Sequence, residues 1–123
     1  GFELGAGAIV EEGGGKTATA YFDQEIYENS NSGIENKAHA SVFNTCLRGN
    51  QRGLLNQTGG AAEIHTSSFV GNQVDGVENL DFASLDATSN WWGDAGGPTG
   101  GGEVVVGPVT FDPVLVSDPN GCE

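Results

Sequence analysis

The feature that most constrains this chain is an internal repeat. Segments starting at Tyr21, Val42, Ile64 and Leu85 follow one another at 21, 22 and 21 residues. A fixed period of this size points to stacked repeats. Two positions after each start stand Asp23, Asn44, Thr66 and Ala87. Five positions after stand Ile26, Leu47, Phe69 and Asn90, and eight after stand Asn29, Asn50, Asn72 and Gly93. A glycine follows at Gly33, Gly53 and Gly76, then an apolar residue at Ile34, Leu54 and Val77, then an asparagine at Asn36, Asn56 and Asn79. These windows lack an i, i+3, i+4, i+7 stripe and are broken by Gly and Asn every few residues, which argues against helical repeats. The Leu-x-x-Leu-x-Leu core of a leucine-rich repeat is absent. A coil of 21–22 residues holds three short strands and three turns. Each strand pairs with its counterpart one coil away, about 4.8 Å along the axis. The expected fold is an all-β parallel β-helix, a solenoid of about four to five coils.

In such a stack, equivalent positions lie above one another, and the apolar columns form an internal ladder. Asn29, Asn50 and Asn72 are expected to form one amide ladder, and Asn36, Asn56 and Asn79 another, because Asn tolerates tight turns and bonds to its copies above and below. Gly33, Gly53 and Gly76 are expected at turns that need left-handed backbone. The whole chain, 1–123, reads as one domain: an incomplete N-terminal coil (1–20), the repeat coils (21–92), a Gly-rich loop with a closing strand (93–115) and a polar tail (116–123).

The stretch from Leu85 to Gly100, with Asn90-Trp91-Trp92-Gly93 at its centre, resembles a signature of right-handed parallel β-helix repeat proteins, the pectate-lyase-like superfamily in the broad sense. Val106 to Leu115 is similar to the strand that closes such helices, with Val114-Leu115 in place of the usual Trp-Leu. The resemblance spans roughly residues 20 to 115 and implies a right-handed, single-stranded helix. It implies no particular activity, because many extracellular proteins of that kind have no enzyme chemistry. Trp91 and Trp92 are expected to cap or fill the core; a sugar-stacking platform is the alternative.

Charge narrows the partners. Seventeen acidic residues stand against four basic ones, a net charge of −13. That balance disfavours nucleic acid and anionic membrane surfaces, which need Lys and Arg. No apolar run is long enough to span a bilayer. The chain begins at Gly1 and lacks Met, so a mature secreted protein or an excised domain is expected, outside the cell or on its surface. Cys46 and Cys122 could bridge a long loop, worth about 4 kcal/mol in the chain-entropy model; two unpaired thiols are the alternative.

Enzymes of the resembled superfamily use clustered Asp, a basic residue and often calcium. Here Glu35 and Glu78 should share one face, separated by the rung of Leu55, but a carboxylate pair alone is a weak signal. Arg48 and Arg52 lie on one rung, where pairing with carboxylates is expected over catalysis. His39 and His65 occupy different columns without metal-ligand spacing. No catalytic residue and no cofactor are assigned. The charge leaves Ca²⁺ open, although neither an EF-hand nor a Gly-Gly-x-Gly-x-Asp repeat occurs. Asn56-Gln57-Thr58 is a glycosylation sequon. The expected function is a non-catalytic extracellular structural or adhesive module. Its partner is another copy, stacked end to end into filaments, or further coils of a parent chain. The alternative is a polysaccharide lyase, hydrolase or carbohydrate-binding β-helix.

Overall fold

The computed structural model describes residues 2–4, 8–10, 18–22, 24–27 and 31–122. The described strands are β1 (Phe2–Leu4), β2 (Ala8–Val10), β3 (Ala18–Phe22), β4 (Gln24–Tyr27), β5 (Ser32–Asn36), β6 (His39–Phe43), β7 (Cys46–Arg48) and β8 (Arg52–Asn56). They continue as β9 (Ala61–His65), β10 (Ser68–Val70), β11 (Asp75–Asn79), β12 (Leu85–Asp86), β13 (Val105–Val106) and β14 (Val109–Thr110). A single 3-10 turn, Gly97–Thr99, interrupts the loop before β13. Three parallel sheets run the length of the molecule: β1-β4-β7-β10 (sheet A), β2-β5-β8-β11-β13 (sheet B) and β3-β6-β9-β12-β14 (sheet C). Consecutive strands always belong to different sheets, so the chain winds as a β-solenoid of about four turns.

Parallel register turns the sequence columns into physical ladders. Ile34, Leu54, Val77 and Val105 stack in sheet B. Ile26, Leu47 and Phe69 stack in sheet A. All six of these residues from the inner coils are fully buried. Each such side chain contributes about 1.5–3 kcal/mol by leaving water, and mostly against the rung above or below it.

The fourth rung departs from the expected alignment. Asp86 pairs with Glu63, so Ala87, not Leu85, follows Ile64, and Leu85 lies in the neighbouring inward column of Ala40 and Ala62. Two inward residues per rung share the space of sheet C. In the second and third coils the large one comes second (Ala40 then Val42, Ala62 then Ile64), whereas in the fourth it comes first (Leu85 then Ala87). Matching by size therefore shifted the alignment by two residues. A two-residue shift keeps every side chain on its proper face, so nothing in the polarity pattern exposes it. With the register corrected, Trp92 takes the next place above Phe69, and Asn90 lies at a corner rather than in an apolar column.

The glycine assignment is also corrected. Gly33, Gly53 and Gly76 lie within strands and not in left-handed turns. Their lack of a side chain is required by crowding: a Cβ on Gly53 would lie 2.5 Å from the Gly76 carbonyl oxygen and 2.8 Å from the Phe69 ring. Six of the left-handed positions form two other columns. Gly49, Gly71 and Gly93 (φ 66°, 63° and 84°) turn the chain out of sheet A, and Asn44, Thr66 and Ser89 (φ 52°, 50° and 62°) turn it out of sheet C.

The C-terminal end is covered by the chain's own last segment. Val105, Val109, Phe111 and Val114 pack on the core, and Val114 fills the space beside Gly97. The tail then runs back over the outside of sheet A to Cys122, which is disulfide-bonded to Cys46 with Cα atoms 5.8 Å apart.

Candidate functional site

Sheet B carries a group of charged residues, Arg52, Asp75, Glu78 and Glu103. Ser32, Arg52 and Asp75 share one column. The Gly76 N–H donates to the Val104 carbonyl at 2.8 Å, which carries the register one rung on and brings Glu103 next to Asp75. Arg52 Nε lies 2.8 Å from Glu78 Oε1 and 3.6 Å from Asp75 Oδ2. Asp75 is 2 % exposed, and its Oδ1 has no hydrogen-bond partner. Burial, helped by the charge of Glu78 and opposed by Arg52, pushes its carboxyl up to about 6.

Glu103 is perturbed further. Burial pushes its carboxyl up to about 7; two hydrogen bonds from Asn72 oppose that, and the nearby Asp75 adds to it. The Asn72 backbone N–H donates to Oε2 and its side-chain Nδ2 to Oε1, both at 2.7 Å. Glu103 also borders a cleft of about 270 Å³ lined by Val70, Gly71, Gly93, Gly102 and the buried Trp92. Chemically, the site is a pair of neighbouring carboxyls, both pushed above their ordinary values chiefly by burial, one of them committed to holding a backbone turn.

A second polar group lies on the outside of sheet C. His65 Nε2 is 3.2 Å from Glu63 Oε1 and 3.6 Å from Asp86 Oδ2, while its Nδ1 lies 2.8 Å from the Thr88 carbonyl oxygen. The Ser41 hydroxyl donates to the other Glu63 oxygen at 3.3 Å. Among the described residues, no three His, Cys, Asp or Glu are grouped so that they could hold a metal ion. No described helix is long and apolar enough to cross a membrane.

The residues singled out in the sequence fall as follows. Asn36 Nδ2 donates to Asn56 Oδ1 at 2.7 Å, Asn56 Nδ2 to Asn79 Oδ1 at 2.9 Å, and Asn79 Nδ2 to the Pro108 carbonyl at 2.8 Å. Asn72 Oδ1 accepts from the Asn50 N–H at 3.0 Å, while the two amide nitrogens donate to the carbonyls of Ile26 and Leu47. Asn29 and Asp23 lie outside the described residues. The next acceptor in that ladder is Glu103 and not Gly93, which occupies a left-handed turn.

Glu35, Leu55 and Glu78 share a column in register. Glu35 is held by Gln57 at 2.8 Å and lies 3.9 Å from Lys37, whereas Glu78 faces Arg52. Arg48 lies 4.8 Å from the ring centre of Tyr27. His39 is exposed on sheet C. Asn56 of the sequon is 2 % exposed with its amide committed to the ladder, so the folded chain presents no acceptor there. Trp91 and Trp92 are 8 % and 0 % exposed, which leaves neither ring available to stack on a sugar.

Sequence reasoning missed Glu103, the corner of Thr45, Ser67 and Asn90, and the exposed Phe82. Thr45 N–H donates to Ser67 Oγ, and Ser67 N–H donates to Asn90 Oδ1, so two different side chains, Ser67 and Asn90, perform one task in one column. A search by residue identity does not find such a ladder; a search by capacity to accept from the next backbone does. No family model, no curated protein and no solved structure matches the chain.

Proposed function

We propose that this chain is a structural segment of an extracellular β-solenoid, an end piece on which further coils build. The observation that carries the reading is the asymmetry of its two ends. The C-terminal end is covered by Phe111, Val114 and the loop around Gly97, and its last strands shrink to two residues each. At the other end the sheets finish on β1, β2 and β3, of which β3 alone runs over five residues, and among the described residues no strand pairs beyond them. Open parallel edges are templates for another strand. In the isolated chain the occupant is the same edge of a second copy; in a longer chain it is a preceding coil, and both use the same pairing edge.

The polar clusters support a structural role, since the asparagines, Glu103 and Arg52 are engaged in ladders and ion pairs. A disulfide fits the oxidising space outside the cell. The resemblance of the Asn90–Gly93 segment to pectate-lyase-like helices is consistent with this reading and adds no reaction to it. The test is sedimentation of the isolated chain over a wide concentration range, at low and high NaCl. Association that grows with concentration, and more steeply in salt that screens the acidic surface, is expected. A monomer at every concentration in high salt would overturn the proposal.

A further inference from the structure

Alternation in β7 and β10 directs Leu47 and Phe69 into the core, and therefore Cys46 and Ser68 to the outside of sheet A. Trp91 continues that outer column through its bridge to Ser68. Outward residues of a solenoid are ordinarily exposed, yet Cys46, Ser68 and Trp91 are 9 %, 0 % and 8 % exposed. What covers them is the tail. The Ser89 N–H donates to the Pro113 carbonyl at 2.7 Å and the Leu115 N–H to the Asn90 carbonyl at 2.9 Å. Ser68 Oγ donates to Asp118 Oδ1 at 2.5 Å, and Asn120 Nδ2 to the Thr66 carbonyl at 2.9 Å. Cys122 is then bonded to Cys46.

We infer that residues 116–122 form a strap fastened by the Cys46–Cys122 disulfide, and that reduction of this bond lifts the strap and bares Trp91 while the coils stay folded. The strap's other fastenings are weak. Asp118 also accepts from the strap's own Cys122 N–H and Val116 is 74 % exposed, whereas Val114, which packs on the core, and Leu115, bonded to Asn90, stay with the coil body. A segment with few buried apolar contacts opens without the rest of the fold. The coils are held by ladders whose last backbone bonds reach Pro113 and Leu115, and residues 116–122 add no strand pairing to them. In the reaction, a small dithiol passes two electrons and two protons to the disulfide. The dithiol becomes a cyclic disulfide, and Cys46 and Cys122 become two thiols.

The two tryptophans make this testable, because Trp92 lies inside the core and Trp91 under the strap. Acrylamide quenching would be measured before and after dithiothreitol, with thiol titration confirming that both cysteines are reduced. The wild-type chain should become more quenchable with a red-shifted emission, and Trp91→Phe, which reports Trp92 alone, should not change. Hydrogen exchange on the unsubstituted chain gives an independent reading: Asn120 and Cys122 amides should lose protection, and Leu115, Val42 and Ile64 amides should keep it. Unchanged quenching with both thiols titrated would overturn the inference. So would loss of protection in sheet C together with the tail, which would make the disulfide a staple of the whole fold.

Discussion

The Trp92 indole lies face to face on the Phe69 ring, with centroids 4.4 Å apart and planes 9° from parallel. Both residues are fully buried, and together they continue the column of Ile26 and Leu47 to the last coil. Trp92 therefore acts as the top rung of the core. Gly76 lies against its ring, where a Cβ would come within 3.1 Å of Cζ3. Trp92→Ala would remove the largest buried side chain and leave a cavity under the covering loop. A loss of about 3–5 kcal/mol is expected from core truncations of this size. Urea unfolding followed by circular dichroism measures it, and a loss below that of Val77→Ala would contradict the role.

The two classes of glycine separate in a substitution experiment. Gly53→Ala keeps an ordinary strand backbone but forces a methyl to within 2.5 Å of the Gly76 carbonyl oxygen. Gly71→Ala meets no neighbour, yet sits at φ 63°. The second change should cost about 1–2 kcal/mol, the penalty of a left-handed residue with a side chain. The first should cost more, at or above the upper end of the ~1–3 kcal/mol found for overpacking, since two backbones must move apart. Equal losses in thermal or urea unfolding would show that crowding does not explain the strand glycines.

The period, the three-sheet coil and the ladder of Asn36, Asn56 and Asn79 were legible because they depend on identity repeated at a fixed spacing; of the other ladder the described part is the bond between Asn50 and Asn72. Asn36, Asn56 and Asn79 repeat one amide on successive coils, with Asn56 meeting an asparagine both above and below. The register of the last rung was not legible. Leu85 and Ala87 exchange large and small within a conserved total, and the turn at 71–74 holds one more residue than its counterpart below, as the 22 residues from Leu47 to Phe69 and the 23 from Leu54 to Val77 show. The site on sheet B was hidden for the same reason. Glu103 joins Asn72 and Asp75 only once the loop after Trp92 is placed, and a 10-residue Gly-rich loop, 93–102, carries no periodic signal of where it re-enters the stack.

The middle asparagine of the second ladder should matter most. Asn56 accepts from Asn36 and donates to both Gly60 and Asn79. Asn56→Ala leaves buried amide groups on two neighbouring coils short of a partner, at a cost of about 1–3 kcal/mol. Asn120→Ala, which removes bonds at the surface of the tail, should cost less than about 1 kcal/mol. The same burial predicts that refolded protein offered to an oligosaccharide-transferring enzyme remains unmodified at Asn56, with intact mass as the readout. A glycan on the folded chain would mean that the ladder opens readily.

The carboxyls on sheet B set the pH dependence. Both Asp75 and Glu103 have folded values above their ordinary ones, about 6 against 3.8 and about 7 against 4.5. The folded state thus binds protons more tightly than the unfolded chain, and folding is favoured where these groups are protonated. Their stabilising contribution is complete below about pH 4, declines as pH rises through the interval up to about 7, and is absent above it. Repulsion within a chain of net charge −13 acts in the same direction, since it too grows as carboxyls ionise. Unfolding free energy measured from pH 4 to pH 8 should therefore fall, with proton release on unfolding across that range. Asp75→Asn removes the charge next to both Glu78 and Glu103, so the variant should show a shallower slope and a smaller loss at pH 8. A slope as steep as that of the unsubstituted chain would assign the pH dependence to the general acidity of the surface instead of this pair.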